Sequence, residues 1–249
     1  MIGIGTLTNV LAIVIGAVIG VALGSRFPER TNRVVIDGAG IAVLVLGGIN
    51  MMSLFDSSYV AAVTGAGTFL VVVVSVVVGG ATGSLLRIED RITGFGSFLH
   101  DRFARGANDN AKRAKFINGF VSSSLIFAVG PMGILGSVSD GMGTGADTLF
   151  LKSLLDFIGS IAFGATMGIG VAASAISVGL WQGLVTVCAA VFSAGIPPEA
   201  IAAVTATGGI LMLGIGLRIL EIRQIAVADL LPALLVAPLL TLGIQAVIT

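Results

Sequence analysis

Long runs of apolar residues, separated by short polar or charged connections, follow one another along the whole chain. The run from Phe69 to Val78, FLVVVVSVVV, is apolar at all positions but one, so it lacks the alternation of a transmembrane β-strand. A helix needs about 20 mostly apolar residues to cross a hydrocarbon core of about 30 Å, because each residue advances it by about 1.5 Å. The pattern therefore predicts an all-α protein, a polytopic transmembrane helical bundle.

Successive apolar runs of this length predict about eight spans. They cover approximately Met1–Gly24, Val34–Phe55, Tyr59–Leu86, Phe116–Val138, Leu151–Ala173, Ala175–Ala194, Ala200–Leu220 and Leu230–Thr249. The join near Ser174 is the weakest boundary, so a seven-span count stays open. The first run lacks the basic n-region of a signal peptide and is interpreted as a retained span.

The fourth span is interrupted near its middle by Gly130 and Pro131, and its first half contains Ser122 and Ser124. Proline has no N–H, so the carbonyl of Phe127 is expected to lose its helical partner. Lipid offers no substitute donor, and neighbouring helices, a hydroxyl or water must supply one. Such a break is either a structural kink or part of a binding site.

Composition leads to the same class of protein. Hydrophobic residues make up 56% of the chain and charged residues only 10%, whereas soluble domains are about one quarter charged. The mean hydropathy is +1.09. The lipid bilayer is thus the first partner, and a formal net charge of zero argues against nucleic acid.

Catalytic and metal-binding motifs are not found in the sequence. The phosphate-binding, dinucleotide-binding and zinc-protease signatures do not occur, so we expect no enzyme, no cofactor and no metal site. The single cysteine, Cys188, excludes a disulfide within one chain. The single histidine, His100, lies in a charged segment and is expected to be solvated.

Basic residues indicate the orientation, because cytoplasmic loops collect Lys and Arg. With eight spans, the loops after spans one, three, five and seven and their margins contain all of the 13 basic residues except Lys152. The opposite side contains Asp56, Asp140, Asp147, Asp156 and Glu199. We therefore expect both termini to lie outside the cytoplasm. Residues 87–115 form the main cytoplasmic loop, whose first part is predicted to be an amphipathic helix on the inner leaflet.

Internal repetition suggests that helical hairpins were duplicated within a single integral membrane domain, residues 1–249. Small residues recur every four positions at Gly16, Gly20 and Gly24 in the first span, and at Gly79 and Gly83 in the third. Such faces allow helices to approach closely, within the chain or across a homodimer. The repeats cover residues 1–55 and 59–138, with a weaker and inverted copy at 175–221. Repeats of this kind occur in secondary transporters and also in any duplicated bundle.

Several stretches together resemble a known family. They are GFVSSSLIFAVGPMGILGSVSDGM, LKSLLD, WQG, LRILEIRQIAVADLLPALLVAP and the end of the first span, GSRFPER. The chain resembles, over nearly its whole length, the bacterial domain-of-unknown-function 554 family of YqgA/YdfK-like multi-spanning membrane proteins. The resemblance implies a location in the inner or plasma membrane and implies no particular reaction or substrate.

Polar residues inside the predicted spans are the candidate site. Lys152 and Asp156 lie four residues apart on one helix face, either as an anchor or as a gate or coupling-ion site beside Asp140. The transport or ion-binding candidates are Asn118, Ser122, Ser124, Phe127, Pro131, Asp140, Lys152, Asp156 and Gln182, with Asn9, Asp37 and Asn50 as secondary candidates. The asparagine, serine and glutamine oxygens among them could coordinate a cation or a polar solute, or could simply form interhelical hydrogen bonds worth about 0.6 kcal/mol each.

Two hypotheses about function follow. The first is a transporter or channel for a small ion or polar solute. The second is a non-transporting scaffold or sensor that docks a partner through the loop at 87–115. Polar residues gathered around one cavity would favour the first hypothesis, and polar residues buried in self-satisfied pairs would favour the second.

Overall fold

The protein is all-helical throughout the part of the chain that the computed structural model describes, residues 2–26, 28–103, 110–128, 131–192 and 196–248. The α-helices are α1 (Ile4–Gly24), α2 (Glu29–Met51), α3 (Ser57–Val63), α4 (Gly65–Leu85), α5 (Ile88–Phe103), α6 (Asn110–Ala128), α7 (Pro131–Gly141), α8 (Asp147–Met167), α9 (Gly170–Phe192), α10 (Pro198–Ile219) and α11 (Ala233–Ile248). Short 3-10 helices at Met52–Phe55 and Val227–Leu230 extend α2 and precede α11.

Seven stretches among the described residues are long and apolar enough to cross a membrane. They are Ile4–Gly24, Arg33–Phe55, Gly65–Leu85, Asp147–Met167, Gly170–Val191, Pro198–Ile219 and Val227–Val247. The pair α6 and α7 passes the same test together, with a bend of 64° between them, and gives an eighth span if it is counted as one. Gly130, predicted to lie at this break, is outside the described residues.

Two predicted boundaries are wrong. The fifth span ends at Met167 instead of Ala173, because Gly168 takes a left-handed backbone (φ 82°) and turns the chain six residues before Ser174. The third span begins at Gly65 rather than Tyr59. The separate helix α3 precedes it, capped by the Asp56 carboxylate, which accepts from the Ser58 and Tyr59 N–H groups.

The chain divides into two compact units, and the first consists of Met1–Ala39, Ile92–Ala128 and Met132–Gly195. Its α1 and α8 lie backbone to backbone. A methyl group added to Gly16 would come within 2.5 Å of the Phe157 carbonyl oxygen, and one added to Gly20 within 2.8 Å of the Ala165 nitrogen. Gly24 lies equally close to the Ala165 backbone.

In the same unit, α5 from Ile92 onward has part of one face buried, and His100 lies on that face. The expectation that His100 is solvated is wrong, since only 6% of the residue is exposed. Its ring meets the edge of Phe116 on α6 with centroids 5.3 Å apart. The packing of α5 against α6 removes the histidine from solvent. Phe95 and Phe98 remain exposed on α5.

The second unit consists of Gly40–Arg91, Val129–Pro131 and Ile196–Thr249. In it the glycine face of α4 meets the start of α11 and the segment before it, so that Gly79 abuts Ala233 and Gly83 abuts the Asp229 carbonyl. Helices α2 and α10 cross where Gly47 and Gly209 face each other; a methyl group on Gly209 would lie 2.7 Å from the Gly47 oxygen.

A reciprocal pair of caps fixes the start of α5 in the second unit. The Asp229 carboxylate accepts from the Glu89 N–H at 2.8 Å. The Glu89 carboxylate accepts from the Ala228 N–H at 2.8 Å and from Arg218 Nη1 at 2.6 Å. Because an acidic group at a helix N-terminus also meets the positive end of the dipole, this exchange stabilises both segments. The predicted hairpins each have helices in both units, and their origin by duplication stays a prediction.

Candidate functional site: a buried polar cluster on α1, α8 and α9

Four polar side chains from three helices of the first unit meet in its interior, and we call them the polar cluster: Asn9, Lys152, Asp156 and Gln182. Asn9 Nδ2 donates to Asp156 Oδ2 at 2.9 Å and lies 3.2 Å from Gln182 Oε1. Lys152 Nζ forms an ion pair with the same Asp156 oxygen. Asn9 and Gln182 are 0% exposed, Lys152 is 6% exposed and Asp156 is 7% exposed.

Local sequence explains how these side chains meet. Lys152 and Asp156 are one turn apart on α8 and therefore share a face. Asn9 and Gly16 are seven residues apart on α1, which is close to two full turns. The face of α1 that approaches the α8 backbone at Gly16 thus also presents Asn9 to the ion pair.

Two atoms of the polar cluster have no hydrogen-bond partner within the described ranges of the chain. Asn9 Oδ1 and Gln182 Nε2 are buried and make no hydrogen bond with any described residue. A buried polar group without a partner costs about 1–3 kcal/mol. The cluster therefore has one acceptor and one donor that a bound molecule could satisfy.

The break between α6 and α7 lies beside this cluster. Helix α6 ends at Ala128 and α7 begins at Pro131. A methyl group on Gly133, in the first turn of α7, would lie 3.3 Å from Lys152 Cε, 3.7 Å from Gln182 Nε2 and 3.8 Å from the Ala128 carbonyl oxygen. The last four carbonyls of a helix lack intrahelical partners, and the helix end carries a partial negative charge. The interruption therefore frees more acceptors than the Phe127 carbonyl alone.

Asp140, which the sequence analysis placed beside Lys152 and Asp156, is not part of the polar cluster. Its carboxylate accepts from the Gly3 N–H at 3.1 Å and the Gly5 N–H at 3.2 Å, and the residue is 3% exposed. These two donors belong to the start of α1, where a carboxylate also meets the positive end of the helix dipole. Asp140 thus holds the N-terminus of α1 against α7.

The remaining candidates do not contact the polar cluster, and several of them are residues of α6. Ser122 and Ser124 are buried, and Ser124 Oγ has no partner among described residues. Phe127 is buried with its ring 5.9 Å from that of Phe163. Asn118 and Asp37 are exposed, and Asn50, in the second unit, donates to Met212 Sδ at 3.3 Å.

Sequence reasoning missed Gly133 and two buried hydroxyls, those of Ser137 and Ser160, which have no hydrogen-bond partner among the described residues. Gly133 follows Pro131 by two residues, so a small residue just inside a restarted helix was the available signal. Among the described residues, no group of three or more His, Cys, Asp or Glu side chains could hold a metal ion.

The apolar helices and this intramembrane cluster define a multi-pass integral membrane protein. The family model "Protein of unknown function (DUF554)" matches residues 4–242, and the chain belongs to that family. It is 30% identical over 244 residues to the uncharacterized membrane protein YdfK of Bacillus subtilis (strain 168), covering 97% of each chain. It is 28% identical over 234 residues to the uncharacterized protein YqgA of Escherichia coli (strain K12), covering 94% of each. No solved structure matches it significantly.

Proposed function

We propose that this chain is a transporter or channel for a small ion or polar solute, that it is not an enzyme, and that the polar cluster is its binding site. One observation carries the proposal: buried Asn9 Oδ1 and Gln182 Nε2 have no hydrogen-bond partner in the described part of the chain, and they lie beside an interrupted span. Discontinuous helices with unpaired backbone groups form the substrate and ion sites of many transporters.

Energetics favour a ligand over a purely structural role. A structural anchor needs only the ion pair between Lys152 and Asp156, which neutralises itself. Two further amide atoms left unpaired at about 1–3 kcal/mol each are a cost that an anchor does not require. A ligand that accepts from Gln182 Nε2 and meets Asn9 Oδ1 with a donor or a positive charge would offset that cost.

The ion pair limits the ligand chemistry. Lys152 and Asp156 together carry no net charge, so a neutral or zwitterionic polar solute fits without any charge being uncompensated. A cation fits if it replaces the Lys152 ammonium at the Asp156 carboxylate, with Asn9 Oδ1 and the end of α6 as further oxygen ligands. Lys152 would then be a tethered competitor that returns when the cation leaves.

The charge pattern supports an orientation for this site. We propose a bacterial inner-membrane location with both termini outside the cytoplasm. Loop arginines and lysines would then face the cytoplasm, as the positive-inside tendency requires. The acidic side chains of the opposite face would concentrate cations at the entrance. A homodimer is not part of the proposal, because the glycine faces of α1 and α4 already pack against α8 and the start of α11 within the chain.

Transport by purified protein in liposomes tests the proposal. Solid-supported membrane currents and radiolabelled uptake would be measured with a panel of monovalent cations, amino acids and small polyols. We expect a signal for wild type and none for the double variant Asp156→Asn with Lys152→Met. Asn50→Leu is the matched control. It removes a half-buried amide of the second unit, outside the polar cluster, and should leave transport intact.

The alternative function, a scaffold or sensor, has one observation in its favour. Phe95 and Phe98 are exposed on α5, stacked with their ring centroids 6.4 Å apart. A partner could cover this pair. A panel that produces no wild-type signal while α5 captures a protein partner would favour this alternative. Transport that persists in the double variant would instead mean that the binding site lies elsewhere in the chain.

A further inference from the structure

A buried hydroxyl on α7 lies one helical turn from the polar cluster. Ser137 is 0% exposed, and its Oγ has no hydrogen-bond partner among the described residues. It lies four residues after Gly133 and four before Gly141, so all three share one face of α7. That face packs against α9, since methyl groups added to the two glycines would lie 3.7 Å from Gln182 Nε2 and against the Thr186 carbonyl, respectively. Ser137 is therefore on the side of α7 that faces the polar cluster.

The packing of α7 does not explain this hydroxyl. The positions one turn before and one turn after Ser137 are glycines, so the contact with α9 requires a small residue and not a polar one. Two other buried hydroxyls at this level, those of Thr6 and Thr186, lie 3.5 Å from each other. A buried hydroxyl without a partner is unfavourable for folding, and alanine would avoid that cost. A ligand that uses the Ser137 hydroxyl accounts for it.

The unpartnered atoms on this side of the first unit define the chemistry of the ligand. Asn9 Oδ1 can only accept a hydrogen bond, Gln182 Nε2 can only donate one, and Ser137 Oγ can do both. The two amide orientations are fixed, because Asn9 Nδ2 is the atom that donates to Asp156 Oδ2 and to Gln182 Oε1. A bare cation satisfies Asn9 Oδ1 but not Gln182 Nε2. A ligand that satisfies all three atoms must carry both hydrogen-bond donors and acceptors.

We propose that the ligand of the polar cluster is a small polyatomic solute without net charge, of the polyol or zwitterionic amino acid type, and that Ser137 is a further residue of its binding site. The inference rests on the proposed transport function and narrows it. Lys152 and Asp156 together carry no net charge, so such a solute leaves no charge uncompensated. One turn of helix rises about 5.4 Å, a distance that a molecule of several heavy atoms can cover.

Uptake into liposomes, measured beside thermal unfolding in detergent, tests this assignment. The probes are radiolabelled erythritol, radiolabelled glycine and radioactive rubidium ion. Ser137→Ala removes one hydrogen bond to the solute, so KM for its uptake should rise about 2–10-fold. The Tm of this variant should be equal to or above that of wild type, because the change also removes a buried hydroxyl that has no partner in the free protein.

Ser160→Ala is the matched control. The Ser160 hydroxyl is also 0% exposed and without a partner within the described ranges. It lies in the close contact between α1 and α8, where a methyl group on Gly16 would lie 3.0 Å from Ser160 Cβ, so a solute has no room there. Ser160→Ala should therefore resemble Ser137→Ala in Tm and wild type in KM.

The outcomes separate this inference from the proposed function. Uptake of erythritol or glycine whose KM rises in Ser137→Ala, and not in Ser160→Ala, supports the inference. Uptake of rubidium alone, or an equal KM in wild type and Ser137→Ala, overturns it and leaves the proposed transport function standing. A wild type that takes up none of the three probes also overturns it, and the wider panel then decides the proposed function. If Ser137→Ala does not fold, Ser137→Cys, whose thiol is only a weak donor and acceptor, should show the same rise in KM.

Discussion

Removing the charge of Asp156 perturbs the polar cluster at its centre. The carboxylate oxygen Oδ2 contacts both Lys152 Nζ and Asn9 Nδ2. One atom therefore forms an ion pair within α8 and a hydrogen bond to α1. Asp156→Asn keeps an oxygen that can accept from Asn9. It leaves the Lys152 ammonium, 6% exposed, without a counter-charge. The double change Asp156→Asn with Lys152→Met removes both charges at nearly constant volume.

The expected loss of stability is much larger for Asp156→Asn than for the double variant. Breaking a buried ion pair by removing one partner costs about 3–5 kcal/mol, whereas replacing both partners is often close to neutral. In chains of 150–250 residues, 1 kcal/mol corresponds to about 2–4 °C in Tm. We therefore expect Asp156→Asn to lower Tm by roughly 6–20 °C and the double variant to unfold within about 4 °C of wild type.

Thermal unfolding in detergent, followed by size-exclusion chromatography, provides the stability measurement beside the transport assay. Arg113→Gln is the control. It breaks an exposed ion pair, with side chains 45% and 62% exposed, and should cost less than about 1 kcal/mol. An Asp156→Asn variant as stable as this control would refute the inference that the lysine is buried and charged. A double variant that regains both stability and transport would show that the pair is only an anchor.

Three further predictions concern packing, orientation and the caps of α5. Gly20→Ala should destabilise the protein by about 1–3 kcal/mol, because the added methyl group meets α8 backbone that cannot move aside; Gly48→Ala, where the space is open, should not, and equal stability of the two variants would contradict the packing. A cysteine near Thr249 should react with an impermeant thiol reagent in spheroplasts and one near Arg102 should not, and the reverse pattern would contradict the orientation. Glu89→Ala should lower stability by about 1–3 kcal/mol through loss of its bonds to Arg218 and the Ala228 N–H, with Glu89→Gln less affected, and an unchanged Tm would show that these bonds contribute nothing.

Apolar length was enough to predict the spans, because a membrane helix must satisfy its backbone internally and needs a fixed number of apolar residues. It was not enough to predict where one span turns into the next. No charge lies between α8 and α9, so the turn at Gly168 was placed near Ser174. The separate α3 was missed in the same way, although Asp56 followed by two serines is a helix-start signal.

The site was predictable only in part. The spacing of Lys152 and Asp156 is visible in the sequence, because residues four apart share a helix face. Their meeting with Asn9 and Gln182 depends on which helices pack together, and sequence periodicity contains no such information. Asp140 shows the same limit. It was grouped with the ion pair because it is acidic and precedes α8, whereas the fold brings it to the start of α1.

The glycines of α1 connect stability to the proposed function. Asn9 lies two turns before Gly16 on the same face, and α1 can bring that amide to Asp156 only where its backbone approaches α8. Lipid tails provide no hydrophobic drive for this contact, so close van der Waals packing at the glycines must supply it. A larger residue at Gly20 would therefore separate α1 from α8 and also withdraw Asn9 from the ion pair. Transport and thermal stability should fall together in such variants, while Asp156→Asn combined with Lys152→Met should separate them.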